Sequence, residues 1–114
     1  MTVTNTRHID EPRRAFRRLI EACRTLAPNA LFELLDEDGE EVEGFRDCES
    51  QGAYELSLYA GECDLETLVV FDGRGRLASF LLVWDCSPDG SDIVADYSDN
   101  DFGNAVFEQW LDAI

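Results

Sequence analysis

The chain of 114 residues contains 25 acidic residues and nine arginines but no lysine, so its formal net charge at pH 7 is −16. A surface of this sign repels nucleic acid and anionic lipid, so we expect neither as a direct ligand and expect basic partners instead. The length predicts one domain. Hydrophobic residues make up 45% of the chain and aromatic residues 11%, which is enough for a packed core and excludes the highly charged disordered class.

The charge is unevenly distributed along the chain. Residues 1–24 contain six arginines against three acids, a net charge of +3, whereas residues 25–114 contain three arginines against 22 acids, a net charge of −19. We expect the arginines of the first segment to pair with nearby acids, because such pairs lower the repulsion within a strongly acidic fold.

The sequence predicts a cytoplasmic protein without a cofactor. No apolar run approaches the roughly 20 residues of a membrane span, and the first ten residues, MTVTNTRHID, lack the hydrophobic stretch of a secretory signal. The four cysteines are therefore expected to be reduced. No C-x-x-C pair occurs and the chain has one histidine, so we expect no zinc site.

An amphipathic helix is predicted near the start of the chain. Residues 1–9 are expected to be a frayed terminus, and residues 10–114 are expected to form a single domain. Asp10 can cap the helix, Pro12 suits its first turn, and Pro28 is expected to end it. Its apolar face is predicted to contain Phe16, Leu19, Ile20, Cys23 and Leu26.

Short segments with strand patterns occupy the middle of the chain. Asp-Gly steps within residues 36–39 and 72–75 predict hairpin turns. Apolar and polar residues alternate over residues 54–59, which is the period of a half-buried strand. The predicted strands are residues 30–35, 40–46, 54–59, 65–71, 76–84 and 93–97.

A second amphipathic helix is predicted after Ser98, which is expected to cap it, and the acidic residues that follow suit the helix dipole. Hairpin connections imply antiparallel pairing between successive strands. The predicted fold class is therefore α+β, with an N-terminal helix, an antiparallel meander sheet of five or six strands, and a C-terminal helix, both helices lying on one face of the sheet.

The sequence shows no catalytic motif, and we predict that the protein is not an enzyme. The only histidine, His8, lies in the predicted frayed start, and no G-x-S-x-G motif occurs. Residues 85–96 partly match an EF-hand calcium loop, with oxygen side chains at positions 1, 3 and 5 and glycine at position 6. The match fails at position 12, which is Asp96 in place of a bidentate glutamate, and at position 8, which is Asp92 in place of an apolar residue. A plain loop without metal is therefore favoured.

Two groups of carboxylates are the candidate partner-binding residues. Carboxylates two residues apart on a strand are separated by roughly 6.6 Å, so an acid at every second position matches alternate phosphates of a DNA strand, which advance about 3.4 Å per step. The first group contains Asp36, Glu37, Asp38, Glu40, Glu41, Glu43, Asp47 and Glu49. The second group contains Asp89, Asp92, Asp96, Asp99 and Asp101.

Residues 91–100, SDIVADYSDN, followed by an amphipathic helix, resemble the close of small acidic proteins carried by plasmids and phages. The size and charge of the chain are also similar to those of DNA-mimicking inhibitors of the anti-CRISPR and anti-restriction type. The resemblance implies a non-enzymatic inhibitor that occupies a nucleic-acid-binding surface, and it assigns no individual residues. The basic first helix departs from the pattern of a pure mimic.

Three functional hypotheses follow from the sequence. The first is an acidic protein that competes with nucleic acid for the basic groove of a partner such as a defence nuclease, with Tyr54, Tyr59, Tyr97 or Trp84 as apolar anchors. The second is an immunity protein that neutralises a cationic toxin. The third is a calcium-binding module or small enzyme. A charged face that only keeps the protein dissolved, or that adapts it to high salt, is the alternative to all three.

Overall fold

The computed structural model describes residues 3–42, 45, 52–61, 63–84, 90 and 92–113, and the side chains from residue 11 onwards within these ranges. Successive strands pair in antiparallel fashion and form one sheet in the order β1-β2-β3-β4, with β1 and β4 at its edges. The elements in chain order are α1 (Val3–Leu26), β1 (Leu31–Leu35), α2 (Ala53–Ser57), β2 (Leu65–Asp72), β3 (Gly75–Val83), β4 (Val94–Tyr97) and α3 (Asp101–Ala113). The α+β class is confirmed.

The sheet buries one face because apolar side chains alternate along its strands. Phe32 pairs with Val70, and Leu34 pairs with Leu68, which pairs in turn with Phe80; all five side chains are fully buried. Residues of α1 and α3 complete the same core. The alternate residues of each strand form the opposite face, which we call the outer face.

The two long helices are joined by a buried hydrogen bond. The indole Nε1 of Trp110 on α3 donates to the carbonyl oxygen of Ala15 on α1 at 2.8 Å. Trp110 also packs against Phe107, whose ring stacks on Tyr97 at a centroid distance of 4.5 Å. These contacts fix α3 against both α1 and the end of β4.

The described residues contain four strands, fewer than the predicted five or six. The predicted strand at residues 54–59 is wrong, because this segment forms α2 and its following turn. Leu56, Ser57 and Ala60 are buried whereas Tyr54 and Leu58 are exposed. Buried residues one and four positions after Leu56 are typical of a helix, although the polarity of the segment alternates as it does in a strand.

The predicted strand at residues 40–46 is described only in part. Glu41 forms an isolated bridge with Leu35, and the Val42 N–H donates to the Leu34 carbonyl at 2.8 Å. The hairpin turn at residues 36–39 is confirmed, with Gly39 at a φ of 81°.

The predicted start of the first helix and the predicted cap of the last helix are wrong. Helix α1 begins at Val3 and not at Asp10, so Pro12 lies inside it. Helix α3 is capped by Asn100, whose Oδ1 accepts the Gly103 N–H at 2.7 Å, because the Ser98 hydroxyl instead accepts the Ser79 N–H at 2.8 Å. Gly103 has a steric role, since a Cβ there would collide with the Ser98 carbonyl oxygen. No helix in the described part of the chain combines the length and hydrophobicity needed to span a bilayer.

Replacement of Trp110 by phenylalanine is expected to lower the free energy of unfolding by about 2–3 kcal/mol, because the buried hydrogen bond to Ala15 and part of the ring volume are lost. Equilibrium denaturation in urea, followed by far-UV circular dichroism, measures the change. The neighbouring Leu111→Ala, at a position 46% exposed, is the control and is expected to cost less than about 1 kcal/mol. Equal losses for the two variants would contradict the role assigned to the indole.

Candidate protein-docking surface

The first acidic group is built around a tight turn after β1. The Asp36 carboxylate Oδ1 accepts the N–H of Asp38 at 2.9 Å and the N–H of Glu40 at 3.0 Å, so Asp36 shapes the turn. The side chains of Glu37, Asp38, Glu40 and Glu41 are exposed. The turn therefore holds four carboxylates in water while one carboxylate organises its backbone. We call this set, Asp36–Glu41, the turn acids.

The second acidic group follows the β4 edge and the start of α3. Asp92, Asp96, Asp99 and Asp101 are exposed, and we call them the edge acids. Asp96 pairs with Leu81 of β3 and lies on the outer face, and its Oδ1 accepts the backbone N–H of Tyr97 at 2.9 Å. Asp99 Oδ1 accepts the Asn104 side-chain amide at 3.3 Å. These bonds leave the second oxygen of both carboxylates unbonded among the described residues.

The sheet places the two groups at its opposite edges. Leu35, Thr67, Leu81 and Asp96 lie side by side across the four strands, and Asp36 directly follows Leu35. Three inter-strand spacings separate β1 from β4, which corresponds to roughly 14 Å. The groups are not brought together, and an outer face with exposed Leu65 and Leu81 lies between them.

Part of the predicted site lies outside the described residues, namely Glu43, Asp47, Glu49 and Asp89. The expected spacing of acids along a strand at residues 40–46 is therefore untested. Half of the calcium-like loop, residues 85–89 and 91, also lies outside the described residues. Within the described part of the chain, no three histidine, cysteine or acidic side chains are grouped so that they could hold a metal ion.

The expected pairing of the α1 arginines with nearby acids occurs once among the residues whose side chains are described. Their one ion pair joins Arg14 to Glu11 at 3.2 Å. Three other arginines hold neighbouring elements in place. Arg13 Nε donates to the Ala60 carbonyl at 3.0 Å, and Arg17 Nη1 donates to Ser57 Oγ at 3.3 Å. The guanidinium of Arg17 also lies over the Tyr54 ring, 5.2 Å from its centroid. That of Arg24 lies over the Phe32 ring at 5.1 Å.

Two of the four predicted aromatic anchors are unavailable. Trp84 is buried against Phe16, and Tyr97 is half-buried and stacked on Phe80 and Phe107. Tyr54 and Tyr59 remain accessible, at 63% and 36% exposure, on α2 and the turn after it.

The thiol of Cys63 lies near the turn acids and has a raised pKa. Partial burial, followed by the nearby carboxylates of Glu66 and Glu37, raises the pKa of the Cys63 thiol, while a hydrogen bond to the Glu37 backbone lowers it. Burial raises the pKa of the Cys23 thiol within the core. Neither environment favours a reactive thiolate.

A groove that the sequence pattern does not predict lies on the outer face beside the edge acids. Its volume is about 290 Å³. Side chains alternate between the two faces of the sheet along β2 and β3. Apolar residues occur on both faces, so the sequence pattern does not show which of them is the outer face. The lining residues are Thr67, Ser79, Leu81, Asp96, Tyr97 and Ser98.

No protein-family model, curated protein or solved structure matches this chain.

Replacement of Asp36 by alanine is expected to lower the free energy of unfolding by about 1–1.5 kcal/mol, because two turn N–H groups lose their acceptor. Thermal or urea denaturation measures this loss. Asp38→Ala, at an exposed position of the same turn, is expected to stay within about 0.5 kcal/mol of the parent protein. A larger effect at Asp38 would show that the turn is organised differently.

Replacement of Glu37 by glutamine is expected to lower the pKa of Cys63, since a nearby negative charge is removed. The thiolate fraction at pH 8 then rises, and so does the rate of alkylation by iodoacetamide. Tandem mass spectrometry that assigns the label to Cys63 measures the rate. Glu108→Gln, a neutralisation on α3, is the control and should leave the rate unchanged. An unchanged rate in the Glu37 variant would mean that its carboxylate does not act on the thiol.

Proposed function

We propose that the chain is an acidic, non-enzymatic binding protein that occupies the basic nucleic-acid-binding surface of a partner protein in the cytoplasm, as DNA-mimic inhibitors of the anti-CRISPR or anti-restriction type do. One observation carries the proposal. Among the described residues, none of the turn acids or edge acids is within ion-pair distance of an arginine. Within the described part of the chain, no internal partner must therefore be displaced before these carboxylates meet an external cation.

The spacing of the acids supports a groove-binding partner. The edge strands beside the two groups, β1 and β4, are about 14 Å apart across the sheet, which is comparable with the width of the DNA major groove, roughly 12 Å. A basic surface that binds the phosphates on both sides of a DNA groove can therefore contact one acidic group at each of these two positions. The exposed Leu65 and Leu81 supply apolar contact between the charged margins, which is the arrangement of a core and rim in protein interfaces.

The net charge supports rapid and salt-sensitive association. A formal charge of −16 on 114 residues steers a cationic partner over a Debye length of about 10 Å at 0.1 M salt. Exposed charges contribute mainly to the association rate, whereas accessible aromatic side chains such as Tyr54 supply contact energy. The proposal therefore assigns recognition to charge and retention to apolar contacts.

A cationic toxin would meet the same charge complementarity, and competition with DNA separates the two partners. The immobilised full chain is incubated with a nuclease-treated lysate of the organism that carries the gene. Captured proteins are then eluted with duplex DNA or with polyglutamate at the same charge concentration. We expect a nucleic-acid-binding protein that leaves in duplex DNA at concentrations where polyglutamate has little effect. A captured protein that both polymers release equally would contradict DNA mimicry.

Neutralisation of either acidic group is expected to weaken binding to the purified partner by roughly 10- to 100-fold, since three exposed charge contacts each contribute up to about 1 kcal/mol. The turn variant is Asp38→Asn, Glu40→Gln and Glu41→Gln. The edge variant is Asp92→Asn, Asp96→Asn and Asp99→Asn. Titration calorimetry at two salt concentrations gives the affinities and their salt dependence.

The matched control removes three exposed charges elsewhere, by Glu21→Gln, Glu108→Gln and Asp112→Asn. It is expected to change the affinity by less than about threefold. An equal loss in all three variants would mean that only net charge matters. Full affinity in both acidic-group variants would overturn the proposed function.

A further inference from the structure

The groove on the outer face offers a site for one side chain of the partner. It lies where β2, β3 and β4 are adjacent, next to the edge acid Asp96. Its volume of about 290 Å³ is at the lower limit of small-molecule sites, which occupy roughly 300–1,000 Å³. An amino-acid side chain therefore suits it better than an organic cofactor.

The lining of the groove is rich in hydrogen-bond acceptors. Thr67, Ser79 and Ser98 contribute hydroxyl groups, and Asp96 contributes a carboxylate with one oxygen already bonded to the Tyr97 N–H. None of the described residues that line the groove is a cation. A ligand with several N–H donors and a positive charge matches this set.

The positions of these acceptors are fixed by the sheet. Ser98 Oγ accepts the Ser79 N–H at 2.8 Å, and the two hydroxyl oxygens are 3.4 Å apart. An irregularity between Leu81 and Leu82 brings the extra residue Ala95 into β4 and keeps Asp96 paired with Leu81 on the outer face. A bound donor therefore meets acceptors that are already oriented, which limits the entropy lost on binding.

We infer that this groove receives an arginine side chain of the basic partner, an inference that rests on the proposed function. The guanidinium group has five N–H donors in a planar fork and can bond the free Asp96 oxygen and the hydroxyls together. Its apolar stem lies along Leu81, which is 37% exposed. A lysine ammonium has the charge but not the planar fork, so it fits the dispersed acceptors less well.

A second copy of this chain is the competing source of the arginine. Arg74 and Arg76 are exposed at the β2–β3 hairpin. Association between copies opposes a charge of −16 on each, whereas a basic partner lowers the repulsion. The charge therefore favours a different protein as the source.

The test uses the ¹⁵N-labelled full chain and N-acetyl-L-arginine amide as the probe. Amide chemical shifts are followed by NMR during titration at low salt. We expect a millimolar dissociation constant, with the largest shifts at Thr67, Ser79, Leu81 and Ser98. N-acetyl-L-citrulline amide has nearly the same shape without the charge and is expected to bind at least tenfold more weakly. N-acetyl-L-lysine amide is expected to bind about threefold more weakly or worse.

Three variants locate the binding site. Asp96→Asn retains an acceptor for the Tyr97 N–H but loses the charge, and it is expected to weaken probe binding at least fivefold. Leu81→Arg places a resident guanidinium at the groove and is expected to abolish the response. Glu108→Gln removes one exposed charge on α3 and is expected to stay within twofold of the parent. Spectra of the free variants show whether each one is folded.

Several outcomes would overturn the inference. These are equal binding of the citrulline probe, shifts centred on the turn acids, or an unchanged response in both groove variants. Shifts that grow with protein concentration in the absence of probe would assign the groove to a second copy. Failure here with partner affinity still lost in the charge-neutralised variants would leave the proposed function standing. Arginine binding in the groove with partner affinity intact in those variants would instead overturn the proposed function.

Discussion

The alternation of side chains across the β1–β4 sheet is the constraint on which the surface depends. Phe32, Leu68 and Phe80 occupy the buried face, each on a different strand. Because side chains alternate along a strand, the neighbours of these residues in the chain must lie on the outer face. The same register places Leu35 and Asp96 at the two ends of one row across the sheet. The separation of the acidic groups thus follows from the packing of the core.

The arginines in the basic segment of the chain stabilise contacts between α1 and α2. Arg13 and Arg17 bond α2 to α1 through Ala60 and Ser57, and this holds Tyr54 at the surface. Since these cations contact backbone, hydroxyl and aromatic groups, the acids of the turn and of β4 have no arginine partner among the described side chains. A strongly acidic surface and a cluster of arginines are therefore compatible within one small fold.

The sequence predicted the elements whose signals are local. The Asp-Gly turn at residues 72–75, the antiparallel hairpin around it and the α+β class depend on nearest neighbours and on hydrophobic period. The predictions were wrong where contacts between distant parts of the chain determine the local structure. Residues 54–59 alternate in polarity, yet Leu56 and Ala60 are drawn into the core and Ser57 is bonded by Arg17, so a helix forms. Asn100 and not Ser98 caps α3, because the Ser98 hydroxyl accepts a hydrogen bond from the Ser79 N–H of β3. The candidate acids were identifiable from composition, but their distribution over two edges requires the strand order.

The hydrogen bond from the Tyr97 N–H to the Asp96 carboxylate has a consequence apart from docking. Strand β4 is an edge strand, and an unbonded edge amide can template the addition of a strand from another molecule. The carboxylate occupies that amide and adds a negative charge at the same point. Loss of the Asp96 side chain would leave this edge amide open to pairing with a strand of another molecule.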